Sequence, residues 1–128
     1  MKAAPLAAKA LISAAMLVVS AAAFAHPKLV SSTPAEGAEV AAPARIEMQF
    51  SENLVKQFSG ARLVMSDMPG MADHPPMNVA AAVSGGDDPK TMVVAPKQPL
   101  VPGTYRVEWR AVSSDTHPIT GTINFKVK

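Results

Sequence analysis

From residue 27 onward, proline and glycine leave no stretch longer than 16 residues free of both, and this spacing restricts the fold more than any other feature. The 128 residues include twelve prolines and seven glycines. Between them lie short runs in which apolar and polar residues alternate, as in a half-buried strand. About seven short strands without a long helix predict an all-β fold, an antiparallel sandwich or Greek-key barrel. The predicted strands are residues 28–32, 45–50, 61–65, 78–83, 91–95, 103–111 and 120–127.

The first 25 residues have the composition of a secretory signal peptide. Lys2 and Lys9 accompany an apolar run at 11–23, which is shorter than the roughly 20 residues that a spanning helix needs. The run ends in Ala-Phe-Ala at residues 23–25, and small residues at these positions are typical of a signal peptidase site. We therefore expect cleavage after residue 25, which leaves residues 26–128 as a single domain that does not span a membrane.

Charge and cysteine content exclude several classes of partner. Loss of Lys2 and Lys9 would leave ten basic and ten acidic residues, so no basic surplus remains for nucleic acid or anionic lipid. The chain has no cysteine. Any soft metal would therefore have to be held by methionine thioether or histidine imidazole.

Methionine is concentrated in one segment, MSDMPGMADHPPM at residues 65–77. Three prolines and a glycine predict that this segment is a loop, whereas Met48 and Met92 lie in apolar strands and are predicted core residues. Thioether sulfur is neutral and polarisable, so three or four donors from this loop would form a site suited to Cu(I). The alternative is an apolar loop that packs on the end of the fold. The candidate ligands are Met65, Met68, Met71, His74 and Met77.

The predicted new N-terminus supplies a second, harder ligand set. The free α-amine and ring of His26 can chelate one ion, and Pro27 offers no backbone N–H for copper to displace. Asp115 and His117 lie between two predicted strands, where alternation would place both side chains on one side. Amine, two imidazoles and a carboxylate form a tetragonal set that Cu(II) prefers. The simpler alternative is that each histidine is an ordinary surface or capping residue.

Several of these segments together resemble the CopC family of periplasmic copper-resistance proteins. The resemblance covers essentially all of residues 26–128. It implies a cupredoxin-like or immunoglobulin-like Greek-key β-barrel that carries copper in the periplasm and is not an electron-transfer protein. We also expect that the protein is not an enzyme, because the sequence offers no Ser/His/Asp constellation, thiol or phosphate loop to host a catalytic nucleophile. The segments that carry it are HPKL at 26–29, FSENL at 50–54, the methionine loop, GTY at 103–105 through WR at 109–110, and SSDTHPITG at 113–121.

The resemblance also implies two copper sites at opposite ends of the barrel. Cu(II) would be bound by the amine and ring of His26 with Asp115 and His117, and Cu(I) by the methionine loop. Ala72 and Asp73 separate Met71 from His74, whereas the family loop has one residue there, so the choice of Cu(I) ligands stays open. The implied partners are copper ions and other copper-handling proteins of the periplasm or membrane.

Two other functions fit parts of the sequence. An N-terminal histidine that holds copper through two nitrogens is also the brace of copper-dependent polysaccharide monooxygenases. One tryptophan and one tyrosine are few for a sugar-binding face, however, and Asp115 would fill a position that oxygen chemistry leaves open. The other alternative is a β-sandwich interaction module whose histidines and methionines bind no metal.

Overall fold

The computed structural model describes residues 26–71 and 74–128, which form nine β-strands. The predicted signal peptide, residues 1–25, lies outside the described residues. Within the described residues, no helix is long and apolar enough to cross a membrane. The strands are β1 Leu29–Thr33, β2 Ala38–Val40, β3 Ile46–Phe50, β4 Gly60–Asp67, β5 Met77–Val79, β6 Ala81–Gly85, β7 Thr91–Pro96, β8 Gly103–Val112 and β9 Pro118–Val127.

The strands form a sandwich of two sheets, which confirms the predicted all-β class. One sheet has the order β1-β3-β7-β6, and the other has the order β2-β9-β8-β4-β5. All neighbouring strands are antiparallel except β2, which runs parallel to β9. Each sheet turns its apolar face inward, so the core lies between the two layers.

The alternating apolar residues account for the core. Ile46, Met48 and Phe50 of β3 are each at most 2% exposed. Met92 is also buried, so the prediction that Met48 and Met92 are core residues is confirmed. The second sheet contributes the apolar positions of its two longest strands, which are Tyr105, Val107, Trp109, Ile123, Phe125 and Val127.

Aromatic pairs connect strands within and between the sheets. The ring of Phe50 meets that of Trp109 edge-on across the two layers, with centroids 5.1 Å apart. Tyr105 of β8 stacks on Phe125 of β9 at a centroid distance of 5.6 Å. Such pairs contribute beyond the area that they bury, by about 0.5–1.5 kcal/mol each.

The ladder between β8 and β9 sets the length of the molecule. Its pairing runs without interruption from Gly103 opposite Val127 to Val112 opposite Pro118. An antiparallel strand rises about 3.4 Å per residue, so the two ends of β8 are about 30 Å apart. The other edge of β8 pairs with β4.

Two features of the chain path differ from the sequence prediction. The predicted strand at 78–83 is in fact β5 and β6, which belong to different sheets. Residues 80–82 are all alanine, so they provide no alternation that would mark where the chain changes sheet. Strand β2 was not predicted, because three residues are too few to show a pattern.

The packing of Trp109 on Gly121 yields a test of the core. A Cβ added at Gly121 would lie 2.3 Å from Cζ2 of Trp109, which leaves no room for a methyl group. We expect Gly121→Ala to lower the free energy of unfolding by about 1–3 kcal/mol, measured by chemical denaturation. Gly60→Ala is the matched control, because a Cβ there meets nothing within 4 Å. Equal stability of the two variants would contradict this packing.

Candidate metal centres

A tight turn between β8 and β9 presents the first ligand cluster. The Thr116 N–H donates to the Ser113 carbonyl at 2.9 Å, which closes the turn. Thr116 itself has a φ of 66°. A left-handed conformation costs an L-residue about 1–2 kcal/mol, and β-branched residues adopt it least readily. Strain of this kind is concentrated at functional sites, where the surrounding structure holds the residue in place.

Asp115 is the centre of the hydrogen bonding in this turn. Its Oδ1 accepts bonds from the His117 N–H and the Ser113 hydroxyl, both at 3.1 Å. Its Oδ2 accepts a bond from the ring Nδ1 of His26 at 2.6 Å. Partial burial raises the pKa of the Asp115 carboxyl, but these three bonds outweigh it and hold the pKa below its ordinary value. The group is therefore a carboxylate at neutral pH and can accept a metal.

The segment that carries His26 is anchored by its neighbours. Pro27 is fully buried, although it lies next to an exposed histidine. The Lys28 N–H donates to the Ser51 hydroxyl at 2.9 Å, and the Ser51 N–H donates back to the Lys28 carbonyl at 2.8 Å. This pair of bonds ties the start of the domain to the end of β3. His26 is thereby held across from Asp115.

The structure brings His26, Asp115 and His117 together. One ligand atom from each lies within 4.8 Å of the other two, and the two imidazole rings are 5.6 Å apart between centroids. Ligands on opposite sides of an ion at about 2 Å are about 4 Å apart, so a small closure would suffice to bind one. Strand alternation was expected to align Asp115 with His117. The alignment comes instead from the turn.

The methionine loop begins with a second tight turn. The Met71 N–H donates to the Met68 carbonyl at 3.0 Å, and Gly70 between them has a φ of 80°. Proline in the second position and a positive-φ glycine in the third are typical of a type II turn. The sequence Met-Pro-Gly-Met therefore places the Cα atoms of Met68 and Met71 less than about 7 Å apart.

His74 has one ring nitrogen in use and one unpaired. Its Nδ1 lies 2.8 Å from the Pro75 carbonyl and donates to it. In the neutral ring the proton on Nδ1 leaves a lone pair on Nε2. Nε2 is buried and has no hydrogen-bond partner among the described residues. A buried polar atom without a partner requires an explanation, and a bound metal ion would provide one.

Met65 and Met77 lie in strands and not in the loop. They are paired across β4 and β5, at the point where the two strands enter and leave the loop. Met65 is 4% exposed and belongs to the core, whereas Met77 is 43% exposed. Of the five predicted Cu(I) ligands, four therefore lie in the loop or directly beside it. The fifth, Met65, has its thioether buried in the core.

The two clusters lie at opposite ends of the larger sheet. Met65 pairs with Tyr105 near the beginning of β8, whereas the turn that carries Asp115 follows Val112 at its end. The length of β8 therefore separates the clusters by about 30 Å. At that distance, neither set of ligands can reach a metal held by the other.

Three residues support the histidine cluster in a way that the sequence did not predict. They are the buried Pro27, Ser51 and the nearly inaccessible Ser113, which is 2% exposed. The order Ser-Ser-Asp-Thr at 113–116 is a signal that was available, since serine and aspartate side chains commonly close turns onto nearby backbone groups. Nothing local in the sequence indicated Ser51, because its partner Lys28 is 23 residues away.

Comparisons with known proteins agree with this architecture. Residues 29–128 match the family model described as the CopC domain. The chain is 73% identical over 115 residues to copper resistance protein C of Pseudomonas syringae pv. tomato, and the aligned region covers 90% of each chain. The crystal structure of PcoC, a methionine-rich copper resistance protein from Escherichia coli, is 59% identical. It has a TM-score of 0.75 and covers 81% of this chain and 100% of that one.

A more distant solved structure has the same fold. CopC from Methylosinus trichosporium OB3b is 27% identical, with a TM-score of 0.66, and covers 80% of this chain and 94% of that one.

The strained Thr116 yields a test of the turn geometry. With φ at 66°, glycine should fit this position better than any residue with a Cβ. We therefore expect Thr116→Gly to be more stable than Thr116→Ala by about 1 kcal/mol in chemical denaturation. At a position with negative φ the order would be reversed. Greater stability of the alanine variant would mean that the turn does not have this conformation.

Proposed function

The chain belongs to the CopC family, and from this premise we propose that it is a non-enzymatic copper-binding protein that serves copper resistance. It buffers or shuttles copper in the periplasm, after a signal peptide at residues 1–25 is removed. Cu(II) binds at the histidine cluster and Cu(I) binds at the methionine loop. Other copper-handling proteins of the periplasm or membrane deliver or receive the ion.

The convergence of His26, Asp115 and His117 is the observation that carries the proposal. Three potential ligand atoms lie within 4.8 Å of one another, although the residues come from opposite ends of the domain sequence. Two imidazoles and a carboxylate, completed by the N-terminal amine, are the nitrogen and oxygen donors that Cu(II) prefers in a tetragonal arrangement. Because Asp115 is already ionised and oriented, copper needs only to displace the hydrogen bond from His26.

The methionine loop offers a different chemistry. Met68 and Met71 are close together in the turn, and Met77 is exposed beside it. The buried Nε2 of His74 has no hydrogen-bond partner among the described residues. Three thioethers and one imidazole are neutral donors, which favours Cu(I) over Cu(II) or hard divalent ions. Met65 could join them only by leaving the core. We therefore propose Met68, Met71, His74 and Met77 as the principal ligands.

The geometry of the histidine cluster disfavours the alternative of a polysaccharide monooxygenase. The Asp115 carboxylate lies 2.6 Å from the His26 ring, so it would compete for a position that such an enzyme keeps free for oxygen. The names of the relatives also refer to copper resistance and not to a reaction.

The role of the N-terminal amine can be tested by blocking it. A protein acetylated at the amine of His26 keeps both histidines and Asp115 but loses the amine as a donor. We expect its Cu(II) affinity to fall by about 100-fold, or roughly 3 kcal/mol, relative to the protein with a free amine at His26. Competition titrations with a chelator of known affinity measure this change.

Cu(I) affinity is the internal control for that experiment. It should be the same in both proteins, because the methionine loop lies at the other end of β8. Equal Cu(II) affinity with and without the acetyl group would contradict the proposed site.

A pair of methionine variants tests the proposed Cu(I) ligands. Leucine has nearly the size of methionine but no donor sulfur. Met71→Leu removes an exposed thioether from the turn and should weaken Cu(I) binding by about tenfold or more, or roughly 1.4 kcal/mol. Met65→Leu is the matched variant in the core and should change Cu(I) affinity much less. A larger loss for Met65→Leu than for Met71→Leu would show that Met65 leaves the core to bind copper.

A further inference from the structure

The methionines of the described residues divide into a buried and an exposed group, with Met68 between them. Met48, Met65 and Met92 are at most 4% exposed and lie in the core. Met71 and Met77 are 51% and 43% exposed, so these residues are open to reagents in solution. Met68 is intermediate and packs against the core from its edge. An exposed thioether is susceptible to oxidation, and a buried one is protected by the packing around it.

We propose that Met71 and Met77 form a paired sulfoxidation site, at which two-electron oxidants such as hypochlorous acid abolish Cu(I) binding and spare Cu(II) binding. The thioether sulfur attacks the chlorine of hypochlorous acid, and water then replaces chloride on sulfur. The net change gives one sulfoxide, one chloride ion and one proton, so sulfur loses the two electrons that chlorine gains. The effect on copper rests on the proposed function, whereas the site of oxidation does not.

The fold can accept oxygen at these two positions. Met71 lies in the loop and Met77 is the first residue of β5, an edge strand of its sheet. A sulfoxide oxygen at either place remains in contact with water. The same oxygen on Met65 would be buried in the core without a hydrogen-bond partner, which is costly. Oxidation of the exposed pair should therefore leave the stability of the domain unchanged.

The two copper sites should respond differently. A sulfoxide replaces a soft sulfur lone pair with a hard oxygen, which Cu(I) binds poorly. Two of the four proposed donors would be lost at once. His26, Asp115 and His117 contain no sulfur and lie beyond the far end of β8, so oxidation of the loop does not reach them. The protein would then retain Cu(II) and release Cu(I) under oxidising stress.

The first measurement follows the oxidation itself and involves no copper. The protein beginning at His26 is treated with increasing equivalents of hypochlorous acid, quenched with free methionine and digested for mass spectrometry. We expect Met71 and Met77 to be oxidised about tenfold or more faster than Met48, Met65 and Met92. The thermal unfolding midpoint should not change at the stage when only the exposed pair is oxidised. Simultaneous oxidation of the buried methionines, or unfolding at this stage, would overturn the proposal.

The second measurement compares copper affinities of treated and untreated protein. After removal of the oxidant, Cu(I) affinity should fall by more than about 100-fold, a larger effect than the loss of an outer-shell partner usually has. Cu(II) affinity should be unchanged. Unchanged Cu(I) affinity in protein that carries both sulfoxides would overturn the proposed switch. Weak Cu(I) binding by the untreated protein would instead contradict the proposed function, and the oxidation map would still test the site.

Two variants separate this effect from general damage. Met71→Leu combined with Met77→Leu removes both thioethers, so its residual Cu(I) affinity should not respond to the oxidant. Met92→Leu changes a core methionine without altering the loop, and we expect it to lose Cu(I) affinity on treatment as the parent protein does. An oxidant effect that persists in the double variant would show that oxidation acts elsewhere.

Discussion

The positions of both proposed copper sites depend on the ten-residue ladder between β8 and β9. Strand β8 lies in the middle of the larger sheet, with β9 on one side and β4 on the other. The turn from β8 into β9 carries Asp115 and His117, and the loop that leaves β4 carries the methionines. Because these connections lie at opposite ends of one long strand, the two proposed ligand sets cannot approach each other. Stacking of Tyr105 on Phe125 and of Trp109 over Gly121 maintains that strand.

The two ends of β8 differ in how firmly the fold holds the proposed ligands. At the histidine end, each oxygen of Asp115 is hydrogen-bonded and Thr116 is kept in a strained conformation. Such an arrangement suits Cu(II), whose tetragonal preference demands ligands in defined directions. At the methionine end, a single turn and an edge strand position the donors. A d¹⁰ ion has no geometric preference of its own, so a looser set of thioethers is adequate for Cu(I). The same openness makes Met71 and Met77 accessible to oxidants.

Much of the fold followed from the sequence, because several of its strands alternate between apolar and polar residues and its turns contain proline and glycine. The faces of β3, β8 and β9 were predictable for this reason. The division of 78–83 into two strands was not, since its alanines have no preference for either face. At the candidate sites, residue type indicated the donors. The sequence could not indicate that Met65 faces the core, that a turn aligns Asp115 with His117, or that Ser51 anchors the segment after His26, because these depend on contacts between distant residues.

The central claim is that two separate copper sites lie at the two ends of β8. Nuclear magnetic resonance of a single sample, loaded first with Cu(II) and then with Cu(I), would test it. Cu(II) is paramagnetic and broadens signals near it, whereas Cu(I) is diamagnetic and only shifts them. One equivalent of Cu(II) should erase the amide signals of residues 113–117 and leave the methyl signals of Met71 and Met77 sharp. One equivalent of Cu(I), added next, should shift those methyl signals and leave the remaining signals of the histidine end unchanged. Broadening of the methionine methyls by Cu(II), or displacement of Cu(II) by Cu(I), would contradict the account.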